Sequence, residues 1–349
     1  MQALEFLDSK PEAGAIARFI RTVRRVSRLL TADPIDADTR ILGGRSDRFR
    51  EDVMHGLDSL RKSLPSRWLY DEQGSELFEE ITRLPEYYPT RTETRILRSH
   101  AQDIADFCGP DRTVLEYGAG AGVKTEILMR TLKTPRLYVP VDIAGEFLDR
   151  TATRFRCLFP ELTTQPVEAD FNADFALPGW MPLPNRVAFF PGSTIGNLDT
   201  GEVATFLQRM RAQVGPSGRA IVGVDLRKAM NILLPAYDDA AGVTARFNLN
   251  LLTRINRELG ANFALEKFSH AVGWNESEAA VEMHLVSQCD QVVMMGGRTF
   301  DFAAGESIHT ESSRKYDIEG FRGLANRNRW HVERVWTDED GRFAIFGLT

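Results

Sequence analysis

The stretch TVLEYGAGAGVKTEILMRTLKTPRLYVPVDIAGEFL, residues 113–148, indicates the fold of the whole chain. The apolar run Val114–Tyr117 predicts a strand, three glycines follow it, and Glu126–Leu132 has the spacing of a helix. A second apolar run, Leu137–Val141, predicts another strand and is followed by Asp142. A strand, a glycine turn, a helix and a strand in this order predict the first βαβ unit of a Rossmann-like sheet.

The glycine turn predicts a nucleotide-type site at the end of the first strand. Gly118, Gly120 and Gly122 allow a sharp turn and a close approach to a ligand that side chains would block. Asp142 is placed to accept hydrogen bonds from a ribose diol. The spacing fits a dinucleotide loop, whereas the E-x-G-x-G-x-G pattern starting at Glu116 is more similar to the S-adenosylmethionine loop of Rossmann-like methyltransferases. A glycine turn in an unrelated α/β protein is a third interpretation.

The composition predicts a soluble globular protein. Its 349 residues are 43% hydrophobic and 26% charged, and the formal net charge of −6 argues against a nucleic-acid partner. Cys108, Cys157 and Cys289 form no CxxC pair, and the histidines are never paired at metal-ligand spacing. No apolar run approaches the length of a membrane span. We therefore expect a cytoplasmic protein with no metal site and no membrane contact.

Strands and helices alternate after the first unit. The segments Gln165–Phe171, Arg186–Phe190 and Arg219–Leu226 are predicted strands, and Val203–Val214 is a predicted helix. Strands that alternate with helices at this spacing imply a mostly parallel, doubly wound sheet.

Two segments at strand ends are candidate ligand contacts. Asp170 can accept a hydrogen bond from the exocyclic amine of adenine, and Phe171 can cover the ring. The glycine-containing segment 191–198 follows the fourth predicted strand, at the sheet edge where open α/β sheets bind ligands.

The N-terminal part of the chain is predicted to be helical. Glu12–Leu30 carries apolar residues at helical spacing with arginines among them, and Thr31–Arg40 has the composition of a linker. A peripheral helix with solvated arginines and a membrane-surface or partner-binding helix both fit this pattern. Residues 48–97 are predicted to be mostly helical, with a helix over Ser75–Leu84 that Pro85 interrupts.

The alternation stops after the fifth strand, which predicts an inserted substrate domain. Within it, Ala236–Leu259 has helical character, and Glu282–Ser287 and Gln291–Met295 have the alternation of strands. Two final strands, 330–335 and 342–348, predict a hairpin that adds an antiparallel pair to the edge of the main sheet, as in Rossmann-like methyltransferases.

Several sequence blocks, in one order, carry a resemblance to a known family. They are LYDEQGSELFEEIT (69–82), LPEYYPTRTE (84–93), EYGAGAGVKT (116–125), PVDI (140–143), FPGSTIGNL (190–198), AYDDAAGVTARFN (236–248) and VEMHLVS (281–287). From about Leu57 to the C-terminus the chain resembles the L-histidine Nα-methyltransferases, which make trimethylhistidine (hercynine) for ergothioneine biosynthesis. The resemblance implies an α/β fold of the Rossmann-like class I SAM-dependent methyltransferases, with a mixed sheet and an added α+β substrate-binding domain.

This resemblance also implies a domain division and the bound molecules. We expect an N-terminal extension and linker (1–40), a substrate-binding domain (41–91 plus 228–317) and an S-adenosylmethionine-binding domain (92–227 plus 318–349). S-adenosylmethionine is the expected methyl donor, and L-histidine is the expected small-molecule substrate. The protein is expected to be a monomer.

The resemblance assigns two sets of site residues. Those expected at S-adenosylmethionine are Tyr70, Gly118, Gly120, Lys124, Asp142, Asp170 and Phe171. Those expected to line the amino-acid pocket are Tyr87, Gly192, Asn197, Tyr237, Met283, Glu311 and Ser313.

Roles within these sets follow from the same resemblance. Asn197 and Tyr237 are expected to hold the α-carboxylate of the substrate. The imidazole is expected to contact Tyr87, Glu311 and Ser313, the last two on a short match at HTESSRKY (309–316). Tyr70 and Asn197 are the expected catalytic residues.

The expected chemistry is mainly alignment of a neutral amine with an electrophilic methyl group. A buried carboxylate at Glu311 would reject side chains that leave it unpaired, so Glu311 is expected to determine substrate choice. A related N-methyltransferase for tryptophan or a modified histidine is one alternative. A non-catalytic SAM-binding partner protein is another, and a nicotinamide enzyme is a third.

Overall fold

The structure, a computed structural model, describes residues 45–349, with side chains from residue 47 onward. The helix predicted at Glu12–Leu30 and the linker at Thr31–Arg40 lie outside the described residues. In chain order the described helices are α1 (Arg45–Asp58), α2 (Glu72–Ile81), α3 (Tyr88–Ser99), α4 (Ala101–Cys108), α5 (Val123–Thr131), α6 (Gly145–Leu158), α7 (Thr200–Val214), α8 (Val243–Leu259) and α9 (Ile318–Arg327).

The strands form one large sheet and two small ones. They are β1 (Thr113–Tyr117), β2 (Leu137–Asp142), β3 (Thr163–Thr164), β4 (Val167–Glu168), β5 (Arg186–Phe190), β6 (Arg219–Asp225), β7 (Phe268–Asn275), β8 (Ala280–Ser287), β9 (Gln291–Met295), β10 (Arg298–Phe302), β11 (Ser307–Arg314), β12 (Val332–Thr337) and β13 (Phe343–Leu348). Short helical turns connect several of them, including Ser66–Leu69, Thr194–Asn197, Met230–Leu233 and Leu234–Ala236.

The large sheet is mixed, as predicted. Its order is β12-β13-β6-β5-β1-β2-β3, and β4 also pairs with β2. Strands β6, β5, β1 and β2 are parallel to one another, whereas β13 is antiparallel to both β6 and β12. The predicted C-terminal hairpin is therefore confirmed. This order and these directions are those of the class I methyltransferase fold.

Parallel pairing collects the carboxyl ends of four strands at one edge of the sheet. These ends are Tyr117, Asp142, Phe190 and Asp225. The glycine turn follows the first of them and the segment 191–198 follows the third. Ligand sites of open α/β sheets form at such an edge.

The inserted region has a sheet and an apolar core of its own. Strands β7, β8 and β11 form an antiparallel sheet in the order β11-β8-β7, and β9 pairs with β10 in a hairpin. A buried cluster joins α1, α2 and α8 to these strands, with Phe247, Leu251 and Leu285 among its members. Two further clusters line the two faces of the large sheet. The division into domains at the expected boundaries stays a prediction.

Two predicted elements begin elsewhere because polar side chains bind backbone N–H groups. The helix predicted over Ser75–Leu84 starts at Glu72, since the Asp71 carboxylate accepts the Gly74 N–H at 2.8 Å. The helix predicted from Ala236 starts only at Val243, where Asp239 accepts the N–H groups of the first turn. The preceding residues form a loop that carries Tyr237.

The strand predicted over Gln165–Phe171 is much shorter in the structure. Pro166 lies between β3 and β4 and has no N–H to donate to a ladder. Asp170 then accepts the Asn172 N–H at 2.9 Å, which turns the chain away from the sheet. Asp170 and Phe171 therefore lie in a loop after β4. Among residues 45–349, no helix is long and apolar enough to cross a membrane.

The packing around Gly223 in β6 generates a stability prediction. A Cβ atom at this position would lie 2.0 Å from the Glu93 Oε1 atom, so a side chain would displace that buried carboxylate. We expect Gly223→Ala to lower the free energy of unfolding in urea by about 1–3 kcal/mol. Gly273→Ala in β7 is the control, because no described residue apart from its two chain neighbours lies within 4 Å of the added Cβ. Equal stabilities of the two variants would contradict the prediction.

Candidate active site

A polar pocket lies beside the carboxyl edge of the large sheet. Its lining residues are Tyr70, Phe78, Ile81, Tyr87, Gly192, Ser193, Thr194, Asn197, Ala236, Tyr237, Thr244, Met283, Glu311 and Ser313. The structure thus brings together every residue predicted to line the amino-acid pocket, and Tyr70 with them. These residues come from the helical N-terminal part, the large sheet and the inserted region, which are far apart in the sequence.

Three tyrosines give the pocket an aromatic and uncharged wall. The rings of Tyr87 and Tyr237 lie 6.3 Å apart, and the ring of Tyr70 lies 5.6 Å from that of Phe78. Removal from water raises the pKa of all three phenols well above the usual value. The phenols are therefore neutral and can both donate and accept hydrogen bonds.

A β-bulge in β11 directs Glu311 into the pocket. His309 pairs with His284 of β8, but Glu311 pairs with Met283, so Thr310 is the extra residue. Strict alternation would place His309 and Glu311 on one face of the sheet. The bulge reverses this relation, and a bulge commonly re-aims a side chain in this way. Glu311 and Met283 therefore line the pocket together.

Glu311 is an acid held away from water. The residue is 6% exposed, and burial raises its pKa to about 7, although Lys315 opposes the shift. The Asn197 side-chain amide donates to Glu311 Oε1 at 2.8 Å. The two residues expected at opposite ends of the substrate are thus in direct contact.

The glycine turn has the shape that a nucleotide ligand requires. Gly118 and Gly120 have φ angles of +70° and +49°, which favour glycine. Apart from its two chain neighbours, no described residue lies within 4 Å of a Cβ built at Gly120, so the backbone there faces open space. The Asp142 carboxylate accepts the N–H groups of Gly120 and Ala144, at 3.2 and 3.0 Å, which fixes it beside the turn.

Asp170 and Phe171 lie near the glycine turn in an arrangement that fits an adenine ring. A Cβ on Gly118 would lie 3.6 Å from the Phe171 ring. Asp170 Oδ2 is buried and makes no hydrogen bond to a described residue, although Arg48 and Arg67 lie 3.4 and 3.7 Å away. A buried acceptor without a donor suits an exocyclic amine. The assignment of both residues to the cofactor stays a prediction.

Lys124 follows the glycine turn, and its ammonium is bound by an acid. Its Nζ atom lies 2.5 Å from Glu93 Oε2, and Glu93 also accepts the Gly192 N–H at 2.8 and 3.1 Å. Glu93 is 1% exposed and was not predicted as a site residue. Glu93 is the last residue of the block LPEYYPTRTE, and its place in that block was the signal in the sequence that could have identified it as a site residue. A direct contact of Lys124 with the cofactor stays a prediction.

A second buried polar network behind the pocket was also missed by the sequence analysis. It comprises Tyr88, Asp225, Lys228 and Lys315, with Ser193 at its edge. Lys315 Nζ lies 2.9 Å from Asp225 Oδ2, and Lys228 Nζ lies 2.6 Å from Asp225 Oδ1. The Ser193 hydroxyl accepts the Asp225 N–H at 2.9 Å. No spacing pattern joins these residues, although Tyr88, Ser193 and Lys315 lie in sequence blocks that carry the resemblance.

Two histidines also lie side by side, on the other face of the small sheet. The rings of His284 and His309 are 5.3 Å apart. Among residues 45–349, no group of His, Cys, Asp or Glu could hold a metal ion.

The sheet order, the glycine turn with Asp142 beside it and the polar pocket define a class I SAM-dependent methyltransferase. Residues 49–349 match the family model described as histidine-specific methyltransferase, SAM-dependent. The chain therefore belongs to the family of SAM-dependent, histidine-specific methyltransferases, for which S-adenosylmethionine is the methyl donor.

Curated relatives agree with this membership. The chain is 41% identical over 303 residues to the histidine N-alpha-methyltransferase of Mycobacterium tuberculosis. The aligned region covers 85% of this chain and 93% of that protein. The chain is 39% identical over 306 residues to the enzyme of the same name from Mycolicibacterium smegmatis, covering 86% and 94%. It is also 29% identical to ergothioneine biosynthesis protein 1 of Neurospora crassa, covering 79% of this chain and 31% of that protein.

The Glu93 contacts generate a prediction for activity. We expect Glu93→Gln to lower kcat/KM for histidine roughly 10- to 100-fold, because a charge-assisted contact is worth about 1.5–3 kcal/mol. The cause would be displacement of Gly192 and Lys124, which Glu93 holds. Steady-state kinetics of methyl transfer measure kcat/KM, and the control is Glu86→Gln in the same sequence block, LPEYYPTRTE. Full activity of Glu93→Gln would contradict the role of this carboxylate.

Burial of Glu311 generates a prediction for stability against pH. Its pKa of about 7 in the folded protein exceeds the reference value of 4.5, so the folded state binds this proton more tightly. Glu311 therefore contributes stability at low pH that is lost between about pH 4.5 and 7. A non-titrating Glu311→Gln variant should gain about 1–3 kcal/mol relative to the native protein over that range.

Urea unfolding at pH 5 and at pH 8, without substrate, measures this difference. Exposed Glu339→Gln is the control and should follow the native protein at both pH values. A Glu311→Gln variant whose stability relative to the native protein is the same at both pH values would show that Glu311 is not a buried titrating acid.

Proposed function

We propose that this protein methylates the α-amino group of L-histidine three times, giving trimethylhistidine for ergothioneine biosynthesis. The observation that carries the proposal is the buried acid Glu311 in one pocket with Ser313 and the neutral tyrosines. A carboxylate and a hydroxyl match the two nitrogens of an imidazole ring. The names of the curated relatives support the same substrate and pathway.

The proposed donor site is the glycine turn with its neighbouring acids. We assign Gly118, Gly120, Lys124, Asp142, Asp170 and Phe171 to S-adenosylmethionine, with Tyr70 between the donor and the substrate amine. S-adenosylmethionine supplies a methyl group on a sulfonium, which is already a strong electrophile. The residues of the chain therefore contribute mainly alignment and exclusion of water.

The proposed amine site is polar but uncharged. The Tyr70 phenol is neutral, and the Asn197 amide and the backbone near Gly192 carry no charge. Such neutral groups stabilise an ammonium far less than a carboxylate would, and only the free amine can attack. Tyr70 and Asn197 are therefore the proposed catalytic residues.

Repeated methylation makes a further demand on this pocket. Each added methyl removes an N–H donor and adds bulk, so the pocket must accept a tertiary amine and a cationic product. The aromatic faces of Tyr70, Tyr87 and Tyr237 suit a quaternary ammonium group.

The two ends of the substrate have separate proposed partners. We assign the α-carboxylate to Asn197 and Tyr237, and the imidazole to Tyr87, Glu311 and Ser313, with Met283 packing beside Glu311. We further propose that the enzyme acts as a monomer in the cytoplasm; the scattered cysteines support the reducing compartment.

Product analysis tests the proposal. The native protein is incubated with S-adenosylmethionine and either L-histidine or L-tryptophan, and the products are identified by mass spectrometry. We expect three methyl groups on histidine and none on tryptophan. Methylation of tryptophan alone would overturn the histidine assignment. No transfer to either amino acid, with measurable cofactor binding, would favour a non-catalytic SAM-binding protein.

A substitution tests the part that Glu311 plays. Glu311→Ala should lower kcat/KM for histidine about 10- to 100-fold or more, because the imidazole N–H loses its charged acceptor. Glu282→Ala is the matched control, since this acid lies on β8 but pairs with Asn275 and His284 on the other face. Equal losses in both variants would contradict a specific role for Glu311.

A further inference from the structure

A histidine of the small sheet binds the backbone of the loop that carries Tyr237. His270 lies in β7, and its Nε2 atom is 2.9 Å from the backbone carbonyl oxygen of Tyr237. A carbonyl oxygen can only accept a hydrogen bond, so Nε2 must carry a hydrogen atom. On the other side of the same residue, the Tyr237 N–H donates to the Leu234 carbonyl at 3.0 Å. The backbone of Tyr237 is therefore held at both its N–H and its C=O.

The second ring nitrogen of His270 accepts a hydrogen bond. Its Nδ1 atom lies 2.9 Å from the Nδ2 atom of Asn248, a fully buried residue of α8. The same Nδ2 atom lies 3.1 Å from the backbone carbonyl oxygen of His284. Turning the amide over would place its oxygen against that carbonyl oxygen, so the nitrogen must lie on this side and donate to both. Nδ1 thus carries no hydrogen, and His270 is a neutral ring with its proton on Nε2.

The surroundings of His270 favour the same neutral form. Removal from water lowers the pKa of His270 below the usual value of 6.5, and the nearby His284 lowers it further. The Tyr237 carbonyl, Asp238 and Asp239 oppose this shift without reversing it. At neutral pH the ring therefore keeps the form that donates to the Tyr237 carbonyl.

The hydroxyl of Tyr237 lies at the other end of the residue, in the pocket. It is 2.8 Å from the Ser313 hydroxyl and 2.7 Å from Lys315 Nζ. His270 is not among the residues that line the pocket, so it can influence the substrate only through Tyr237. Because hydrogen bonds weaken steeply when their geometry is poor, a small shift of the Tyr237 backbone would weaken the contacts of its hydroxyl.

We propose that His270 is a positioning residue that holds Tyr237 where its hydroxyl meets the α-carboxylate of the substrate. The proposal rests on the proposed function, which assigns the carboxylate to Tyr237 and Asn197. His270 acts by donating from Nε2 to a backbone carbonyl, so any side chain with an N–H at that place can perform the same role.

A double-mutant cycle tests the proposal. His270→Leu removes the donor to the Tyr237 carbonyl, and Tyr237→Phe removes only the hydroxyl. We expect His270→Leu to lower kcat/KM for histidine about 10- to 100-fold, mainly through a higher KM, as for the loss of a hydrogen bond to a charged group. In the Tyr237→Phe background the same substitution should cost about twofold or less, because the hydroxyl that His270 positions is already absent.

Two further variants control for packing. His270→Gln keeps an amide N–H for the Tyr237 carbonyl and an oxygen for the Asn248 amide, and should stay within about threefold of the native kcat/KM. His284→Leu is the matched control on β8, because its ring contacts Glu282 rather than Tyr237, and it should keep the native value. Should His270→Leu not fold, His270→Ala is used in the same cycle.

Nitrogen-15 NMR of the native protein tests the ring form without a substrate. The histidines are labelled, and His270→Gln identifies the signal of His270. We expect a neutral ring with its proton on Nε2 at about pH 6, where an ordinary imidazole is mostly protonated. A proton on Nδ1, or a charged ring at this pH, would contradict the proposed hydrogen-bond arrangement.

The outcomes separate the two proposals. If the native protein does not methylate histidine, the proposed function fails and the carboxylate role of His270 fails with it, whatever the NMR spectrum shows. If histidine is methylated but His270→Leu costs as much in the Tyr237→Phe background as in the native one, only the role of His270 is wrong. An equal loss in His284→Leu would likewise show a general effect on the small sheet.

Discussion

The buried carboxylate of Glu93 joins the parts of the molecule that must meet at the active site. It lies on α3, accepts the Gly192 N–H of the loop after β5, and binds Lys124 at the start of α5. Room for it exists because residue 223 of the neighbouring strand is glycine. A polar group is costly to bury without partners, so these contacts must form together. The start of α5, just after the glycine turn, and the segment 191–198 are consequently held in a fixed position relative to each other by a single side chain.

The buried charged groups behind the pocket also have partners that offset the cost of burial. Asp225 is paired with Lys228 and Lys315. Replacing a buried ion pair with apolar side chains is often neutral for stability. What the charged network adds is direction, because ammonium groups only donate and carboxylates only accept. The Tyr237 phenol and the Ser313 hydroxyl of the pocket are held by Lys315, a charged group that does not line the pocket.

The sequence allowed the sheet to be predicted because its central strands are buried on both faces. Arg186–Phe190 and Leu137–Asp142 are short apolar runs whose character alone indicates a strand. Features that depend on contacts between distant residues could not be predicted in this way. The late start of α8 depends on Asp239, and the orientation of Glu311 depends on a bulge at Thr310. The resemblance grouped the pocket residues, but no spacing pattern could supply Lys315 or Glu93.

The contact between Asn197 and Glu311 couples the two ends of the proposed substrate. The Asn197 amide now donates to Glu311, although its proposed partner is the α-carboxylate. The amide nitrogen carries two hydrogens, so Asn197 can keep this bond and donate its second N–H to the α-carboxylate. An imidazole N–H then adds a second donor at Glu311, and a ring without an N–H forgoes that bond at a buried acid, at a cost of about 1–3 kcal/mol. Recognition of the side chain is thereby tied to placement of the backbone groups, including the amine that accepts the methyl group.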